Sequence, residues 1–183
     1  LGTAYNSAST ATCQYYLSSS ELSGLTFTPG VYCTSTGAFT IAKLAYVTLD
    51  AVNVVNAVWV FQTTTTLDTG DFSSMILLNG ALSKNVYWAV GTKASIGNSA
   101  FFVGNLMAQS TILYAPYAIL DGRGLSFADV QFKGYSSAGL PNGTATVVKP
   151  SIKINIGACI NFAALAYNSI LFSSALTVIT TDS

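Results

Sequence analysis

Seven carboxylates, Glu21, Asp50, Asp68, Asp71, Asp121, Asp129 and Asp182, are the main candidates for acid or base chemistry, because the sequence contains no histidine. That absence removes the commonest general base, the commonest metal ligand and the usual partner of a Ser or Cys nucleophile. A carboxylate pair of the glycosidase kind needs two acids brought together by the fold. Only Asp68 and Asp71 are close in sequence, and they flank Thr69-Gly70, which reads as a solvated turn. Arg123, the only arginine, sits in Asp121-Gly122-Arg123-Gly124. The stretch is too short and too poor in glycine to cradle phosphate, so a turn or a bulge is expected. Cys13, Cys33 and Cys159 have neither CxxC spacing nor a histidine to complete a zinc site. No metal, no cofactor and no enzymatic activity are expected.

The cysteines bear instead on the compartment. Cys13 and Cys33 would close a loop by a disulfide in an oxidising environment, while Cys159 lies in an apolar run suited to a buried free thiol. Asn142-Gly143-Thr144 is a glycosylation sequon in a stretch rich in Gly, Ser and Pro, exposed if the protein is secreted. The chain opens at Leu1 without a basic-then-apolar leader. That fits a chain whose signal has been removed, or one numbered from a later start.

Composition narrows the partners. Only 8% of the 183 residues are charged, against 51% hydrophobic, with zero net charge. Nothing basic is clustered to displace counterions from nucleic acid or an anionic membrane. Residues 155–181 carry no charge, a length that can cross a bilayer. Residues 94–120 are equally charge-free yet broken by Gly97, Gly104 and Pro116, so such gaps are ordinary in this composition. Asn155, Asn161, Asn168 and Ser173-Ser174 penalise a span further. Membrane insertion is not expected, and the aromatic content, 10 Phe, 10 Tyr and 2 Trp, excludes disorder.

The elements that must carry any surface chemistry read as strands. Thr, Val, Ile, Tyr and Phe recur in short runs punctuated by Gly and Asn. Candidate strands are 25–28, 40–41, 46–50, 58–62, 75–78, 85–90, 101–103, 111–114, 117–120, 130–132, 146–148, 152–156 and 176–180. A short helix is expected at 3–9 or at 15–22. Many runs are apolar on successive residues, as in strands packed rung upon rung. Loosely similar rungs, Ala57 to Phe61, Asn85 to Val90 and Phe101 to Asn105, suggest a solenoid. The periodicity alone leaves a β-sandwich equally open.

Longer strings decide between them. Gly24-Leu-Thr-Phe-Thr-Pro-Gly-Val-Tyr32, Asn56-Ala-Val-Trp-Val-Phe-Gln62, Leu77-Leu-Asn-Gly-Ala81, Lys84-Asn-Val-Tyr-Trp-Ala-Val-Gly91 and Phe102-Val-Gly-Asn-Leu-Met-Ala108 occur in order. With Asp121-Gly122-Arg123-Gly124-Leu125 they resemble the microbial ice-binding (antifreeze) family over about residues 22 to 130. The resemblance implies an all-β fold, a right-handed β-solenoid of triangular section with a helix alongside. It also implies a secreted, non-catalytic protein that adsorbs to ice through a flat face.

The order of parts departs from that family. The counterpart of its opening segment resembles Ile156 to Ala166, with Thr177-Val178-Ile179-Thr180 following, at the C-terminal end. The start, Leu1 to Cys13, resembles the end of the family's helix region. The chain thus reads as one circularly permuted domain, 1–183, with 134–153 as a new connection and 154–183 as strands that cap the solenoid or swap into a neighbour. Ice adsorption implies a sparsely charged face of small hydroxyls and methyls. Thr26, Thr28, Thr40, Thr48, Thr63, Thr65 and Thr111 are the expected contributors, Thr63 with Thr65 and Thr26 with Thr28 projecting together. Bulky corners at Ala51 to Val55 and Tyr114 to Tyr117 sustain an alternative, an extracellular fibre or adhesin subunit polymerising head-to-tail through residues 154–183.

Overall fold

A computed structural model describes residues 1–139 and, beyond them, the strand segments Ala164–Ala166, Ser169–Phe172 and Val178–Ile179. Among the described residues one α-helix, α1 (Gly2–Ser9), precedes eighteen strands, with a single 3-10 turn at Ser83–Asn85. They are β1 Tyr15–Leu17, β2 Thr26–Phe27, β3 Gly30–Thr34, β4 Phe39–Ile41, β5 Tyr46–Asp50, β6 Trp59–Thr63, β7 Leu67–Thr69, β8 Ser74–Leu78 and β9 Val86–Val90. After them come β10 Ala94–Ile96, β11 Phe101–Ala108, β12 Ile112–Tyr114, β13 Ile119–Ser126, β14 Asp129–Phe132, β15 Ser137–Gly139, β16 Ala164–Ala166, β17 Ser169–Phe172 and β18 Val178–Ile179.

Every pairing between these strands is parallel, and each strand stacks on its equivalent in the next rung. Three columns result. The first, the open face, runs β2, β5, β8, the start of β11, the start of β13, β15 and β18. The second, the helix face, runs β1, β3, β6, β9, the ends of β11 and β13, and β16. The third, the narrow face, runs β4, β7, β10, β12, β14 and β17. The first two merge into one 12-stranded sheet because β11 and β13 run unbroken through the corner where earlier rungs carry loops.

Gly104 and Gly122 stand opposite each other at that unbroken corner. A Cβ on Gly122 would lie 1.9 Å from the Gly104 carbonyl oxygen, and one on Gly104 2.8 Å from that of Val86. The Asp121 to Gly124 stretch is therefore strand interior, not the turn or bulge its composition suggests. Asp68 likewise lies inside β7, and Tyr15–Leu17 is a strand, with the helix confined to Gly2–Ser9. β3, β7 and β10 lie outside the segments expected from sequence, and β11 and β13 extend well past theirs. In each case the apolar run is short or interrupted by Gly, Asn or Asp, and the pairing comes from neighbouring rungs.

Inward side chains form a spine of rings. Tyr15 stacks on Tyr32 at 4.9 Å, Tyr32 on Phe61 at 5.3 Å and Phe61 on Trp88 at 4.1 Å, with Phe102 tilted against Trp88 at 4.9 Å. Register alone produces this, because Tyr32, Phe61 and Trp88 are cross-strand partners. Beyond Trp88 the row continues as Leu106 and Gly124, and the space at Gly124 is filled from the narrow face by Tyr114, stacked on Phe132 at 4.8 Å. The Tyr114 hydroxyl is fully buried without a hydrogen-bond partner among the described residues, and burial pushes its pKa up. An unsatisfied buried hydroxyl costs about 1–3 kcal/mol. Tyr114→Phe, which deletes only that oxygen, is therefore expected to raise stability by about 1 kcal/mol in urea unfolding. A fall would show that the hydroxyl has a partner.

Helix α1 is too short to persist alone. Tyr5 and Ala8 bury against Ala89 and Met107 on the helix face, and Tyr5 meets Phe127 edge-on at 5.7 Å. Its C-terminal end is fastened twice. The Gln62 amide donates to the Ala8 and Ala11 carbonyls at 2.7 and 2.8 Å, and Cys13 is joined to Cys33 of β3 by a disulfide. The expected pairing of Cys13 with Cys33 is thus present. Replacing both by Ser is expected to cost about 3 kcal/mol, mainly through the unfolded chain. Reduction of the unaltered protein should reproduce the loss, measured as the shift in denaturant midpoint.

Strands β16, β17 and β18 pair with β13, β14 and β15 of the same chain. Cys159, the Asn142 sequon and most of the 134–153 connection lie outside the described residues.

Candidate binding face

The open face is built by alternation. In β5, Val47 and Leu49 point into the core, so Tyr46, Thr48 and Asp50 point out. Register carries that outward set along the stack. One row runs Tyr46, Ser74, Phe101, Ile119, Ser137, and the row beside it Thr26, Thr48, Ile76. Successive rungs repeat at about 4.8 Å. Tyr46, Ile76, Leu78, Phe101 and Ile119 are exposed apolar side chains on this surface. Asp50 and Asp121 edge it, and no Lys or Arg stands in its rows. At the corner leading into it, Leu44, Phe72 and Tyr117 hold positive φ values of 61°, 58° and 61° and are exposed. These conformations are costly for such side chains. They persist because Leu44 and Phe72 each donate a backbone hydrogen bond to the next rung, at 2.9 and 2.8 Å.

The other two columns offer less. The helix face is covered by α1 where Val60, Tyr87, Ala89 and Met107 point out. At its far end Arg123 donates to Asn105 at 3.2 Å, and the buried Asn105 amide donates to the Lys84 and Val86 carbonyls, both at 3.0 Å. Arg123 is therefore a brace for the loop before β9. The narrow face presents one outward residue per rung along most of its length, Thr40, Asp68, Ser95, Leu113 and Gln131 in register. Glu21 bridges to Thr40 there, and its carboxylate accepts from Ser23, Thr40 and Ala42. Burial opposes these bonds, but together they hold its carboxyl below the usual range.

The threonines are divided among these surfaces. Thr26 lies exposed on the open face, Thr48 lies there but nearly covered, and Thr28 is exposed just past β2. Thr40 and Thr111 belong to the narrow face, with the Thr40 hydroxyl donating to Glu21 at 3.2 Å. Thr63 is buried, and its hydroxyl donates to the Gly37 carbonyl. Thr65 is exposed at the next corner and donates to the same oxygen at 2.5 Å. Thr63 and Thr65 therefore do not project together, because the strand ends between them. The bulky members of the open face were missed as site residues. Their signal is an apolar or Ser residue two positions after each corner residue, Leu44, Phe72, Ser99 and Tyr117.

Among the described residues, no three of the His, Cys, Asp and Glu side chains group as metal ligands. Asp68 projects from the narrow face, while the Asp71 carboxylate accepts the Asn98 backbone N–H at 2.9 Å. No helix of the described residues is long and apolar enough to cross a membrane.

The fold and this surface define a parallel β-helical protein that presents one broad sheet face, uncovered among the described residues. Residues 1–136 match the ice-binding-like family, and the chain belongs to that family. It is 37% identical over 125 residues to an ice-binding protein of Nostoc sp. (strain HG1), covering 68% of this chain and 45% of that protein. It is 33% identical over 138 residues to ice-binding protein 1 of Shewanella frigidimarina, covering 70% of this chain and 15% of that protein. Among solved structures, it resembles the ice-binding protein of the Antarctic ascomycete Antarctomyces psychrotrophicus. That likeness has a TM-score of 0.68 and 26% identity, and covers all of this chain and 68% of the other. An ice-binding protein from an Antarctic biological consortium matches at TM-score 0.67 and 27% identity, over 97% of this chain and 61% of the other. The chain spans less than half the length of these two curated relatives.

Proposed function

We propose that this chain is a secreted, non-catalytic ice-adsorbing protein that acts through its open face. The observation that carries the reading is the outward set Thr26, Tyr46, Thr48, Ser74, Ile76, Phe101 and Ile119, held in register on one sheet with no cation among them and, among the described residues, no helix over it. Ice adsorption needs a rigid surface that lets water order beside it. Methyls and neutral hydroxyls permit this, whereas charges hold hydration shells of their own. Membership of the ice-binding-like family, and relatives that are themselves ice-binding proteins, point the same way. The face differs from the Thr-rich one expected from sequence, since aliphatic and aromatic groups supply most of its area.

On this reading the solenoid is right-handed and triangular in section, and the C-terminal segment 154–183 is a permuted cap docked on its own chain. Strand pairs β13–β16, β14–β17 and β15–β18 support the docking, so head-to-tail fibre formation is not favoured. Asn142 is the glycosylation site this reading assigns, and Thr26 and Thr48 are the threonines it retains at the ice contact.

The test is thermal hysteresis and ice-crystal shaping by the purified chain. Ile76→Lys, at the centre of the open face, is expected to abolish both, while Leu113→Lys on the narrow face leaves them intact. A wild-type chain that neither shapes ice nor depresses its growth would overturn the proposal. Equal loss from both substitutions would overturn the choice of face.

A further inference from the structure

We propose that Asn79 is a self-modifying residue, whose side chain cyclises onto Gly80 and hydrolyses to a carboxylate that unfastens the loop at residues 51–56. The reading is independent of what the open face binds.

Asn79 and Gly80 are the central residues of an exposed turn closed by the Ala81 N–H donating to the Leu78 carbonyl at 3.0 Å. The attacking atom is the Gly80 backbone nitrogen. It makes no hydrogen bond within the described residues, and nothing lies within 4 Å of where a Gly80 side chain would stand. The nitrogen therefore has no hydrogen bond to give up, and nothing crowds the side of Gly80 that a side chain would occupy. Every other asparagine of residues 1–139 is followed by a residue with a side chain. In the reaction the Gly80 nitrogen loses its proton and bonds to Asn79 Cγ, and the Cγ–Nδ2 bond breaks with release of ammonia. Water then opens the five-membered imide at either carbonyl, leaving aspartate or its backbone-shifted isomer. The balance is one amide plus one water giving one carboxylate plus ammonium, with no oxidant or cofactor.

The consequence comes from what the amide holds. Asn79 Nδ2 donates to Asp50 Oδ1 at 2.8 Å, and the Val52 backbone N–H donates to that same oxygen at 2.8 Å. This shared acceptor is the fastening of a strained loop. Val52, Asn53 and Asn56 hold φ values of 50°, 60° and 56°, and left-handed backbone is disfavoured most for a β-branched residue such as Val52. Val52, Val54 and Val55 are exposed, so little packing keeps the loop in place. Conversion at Asn79 replaces the donor by an anion facing the Asp50 carboxylate, and like charges repel. The loop loses its anchor, and Val52 is free to relax to extended backbone.

Two measurements test this. Purified protein is held in mildly alkaline buffer and followed by peptide mapping. Asn79 is expected to gain the mass of an amide-to-acid exchange about tenfold or more faster than any other asparagine of residues 1–139, a barrier difference of about 1.4 kcal/mol. Asn79→Gln should abolish it. Asn142-Gly143, the other Asn-Gly pair, resolves as a separate peptide. Amide exchange is then measured at Val52 and Val54, in Asn79→Asp and in the acidic isoform separated from aged wild type. Both are expected to show exchange raised about tenfold at Val52 and Val54, with the strands unchanged. Adding Asp50→Asn to Asn79→Asp should restore protection, because one donor again meets one carboxylate. Equal rates at all asparagines would overturn the modification site. Unchanged exchange in both charged forms, or no rescue by the double variant, would overturn the loop mechanism.

Discussion

Gly122→Ala is expected to destabilise the protein by about 4 kcal/mol or more, among the larger single-residue costs. For a domain of this size that lowers Tm by roughly 10 °C. The added Cβ would sit 1.9 Å from the Gly104 carbonyl oxygen, well inside any tolerated approach. Relief requires the strands to part at the corner where β11 and β13 pass unbroken from the open face to the helix face. Eight register pairs join these two strands, so the disturbance spreads along both columns. Differential scanning calorimetry checks the shift. A loss below about 1 kcal/mol would show that the corner yields, and that Gly122 is not required there.

Trp88→Ala is the second large effect, expected to cost about 4–5 kcal/mol. Trp88 is fully buried, its ring stacks on Phe61 at 4.1 Å, and it packs against Phe39 and Phe102. Its indole N–H donates to the Val103 carbonyl at 3.0 Å, so truncation also orphans a buried acceptor. Trp88→Phe keeps the stacking but not the donor, and is expected to lose less than half as much. Urea unfolding of the pair separates the contributions. Equal losses would assign the whole effect to the hydrogen bond and none to the stack.

These two residues also show what the sequence makes legible. Trp88 lies in an apolar run, Val86 to Val90, and such runs announce buried strands wherever they occur. The rung equivalence of Trp59–Thr63 with Val86–Val90 is visible as a recurring string, whereas the similar string from Phe101 belongs at its start to the open face, and Trp88 is matched instead by Leu106. The corners are harder. β5 and β6 are separated by a loop and β8 and β9 by a slightly shorter one, whereas β11 and β13 dispense with it, so the rungs differ in length and the eye loses register. Strands such as Leu67–Thr69 and Ala94–Ile96 have three residues and one inward pair apiece, too little for alternation to register. The binding face suffers from the same cause. Tyr46, Ser74, Phe101 and Ile119 become neighbours only after register is known. The threonines, chosen by residue type, divide among two faces, a corner and the interior because nothing in a lone Thr says which way its strand faces.

The ring spine has a consequence for how the molecule comes apart. Stacked-repeat proteins hold together mainly through couplings between adjacent rungs. Here the couplings are graded. From Tyr15 to Phe102 each step carries an aromatic pair worth about 0.5–1.5 kcal/mol beyond its burial. The Cys13–Cys33 bridge and Gln62 clamp the same end. Past Leu106 the row falls to glycine, and stacking passes to two pairs outside it, Tyr114–Phe132 and the exposed Tyr117–Tyr135. A ladder graded in this way unzips from one end. Under load or heat, the rungs after β13 should detach first and the Tyr15 end last, giving the stack of rungs a direction that its near-uniform strand geometry does not.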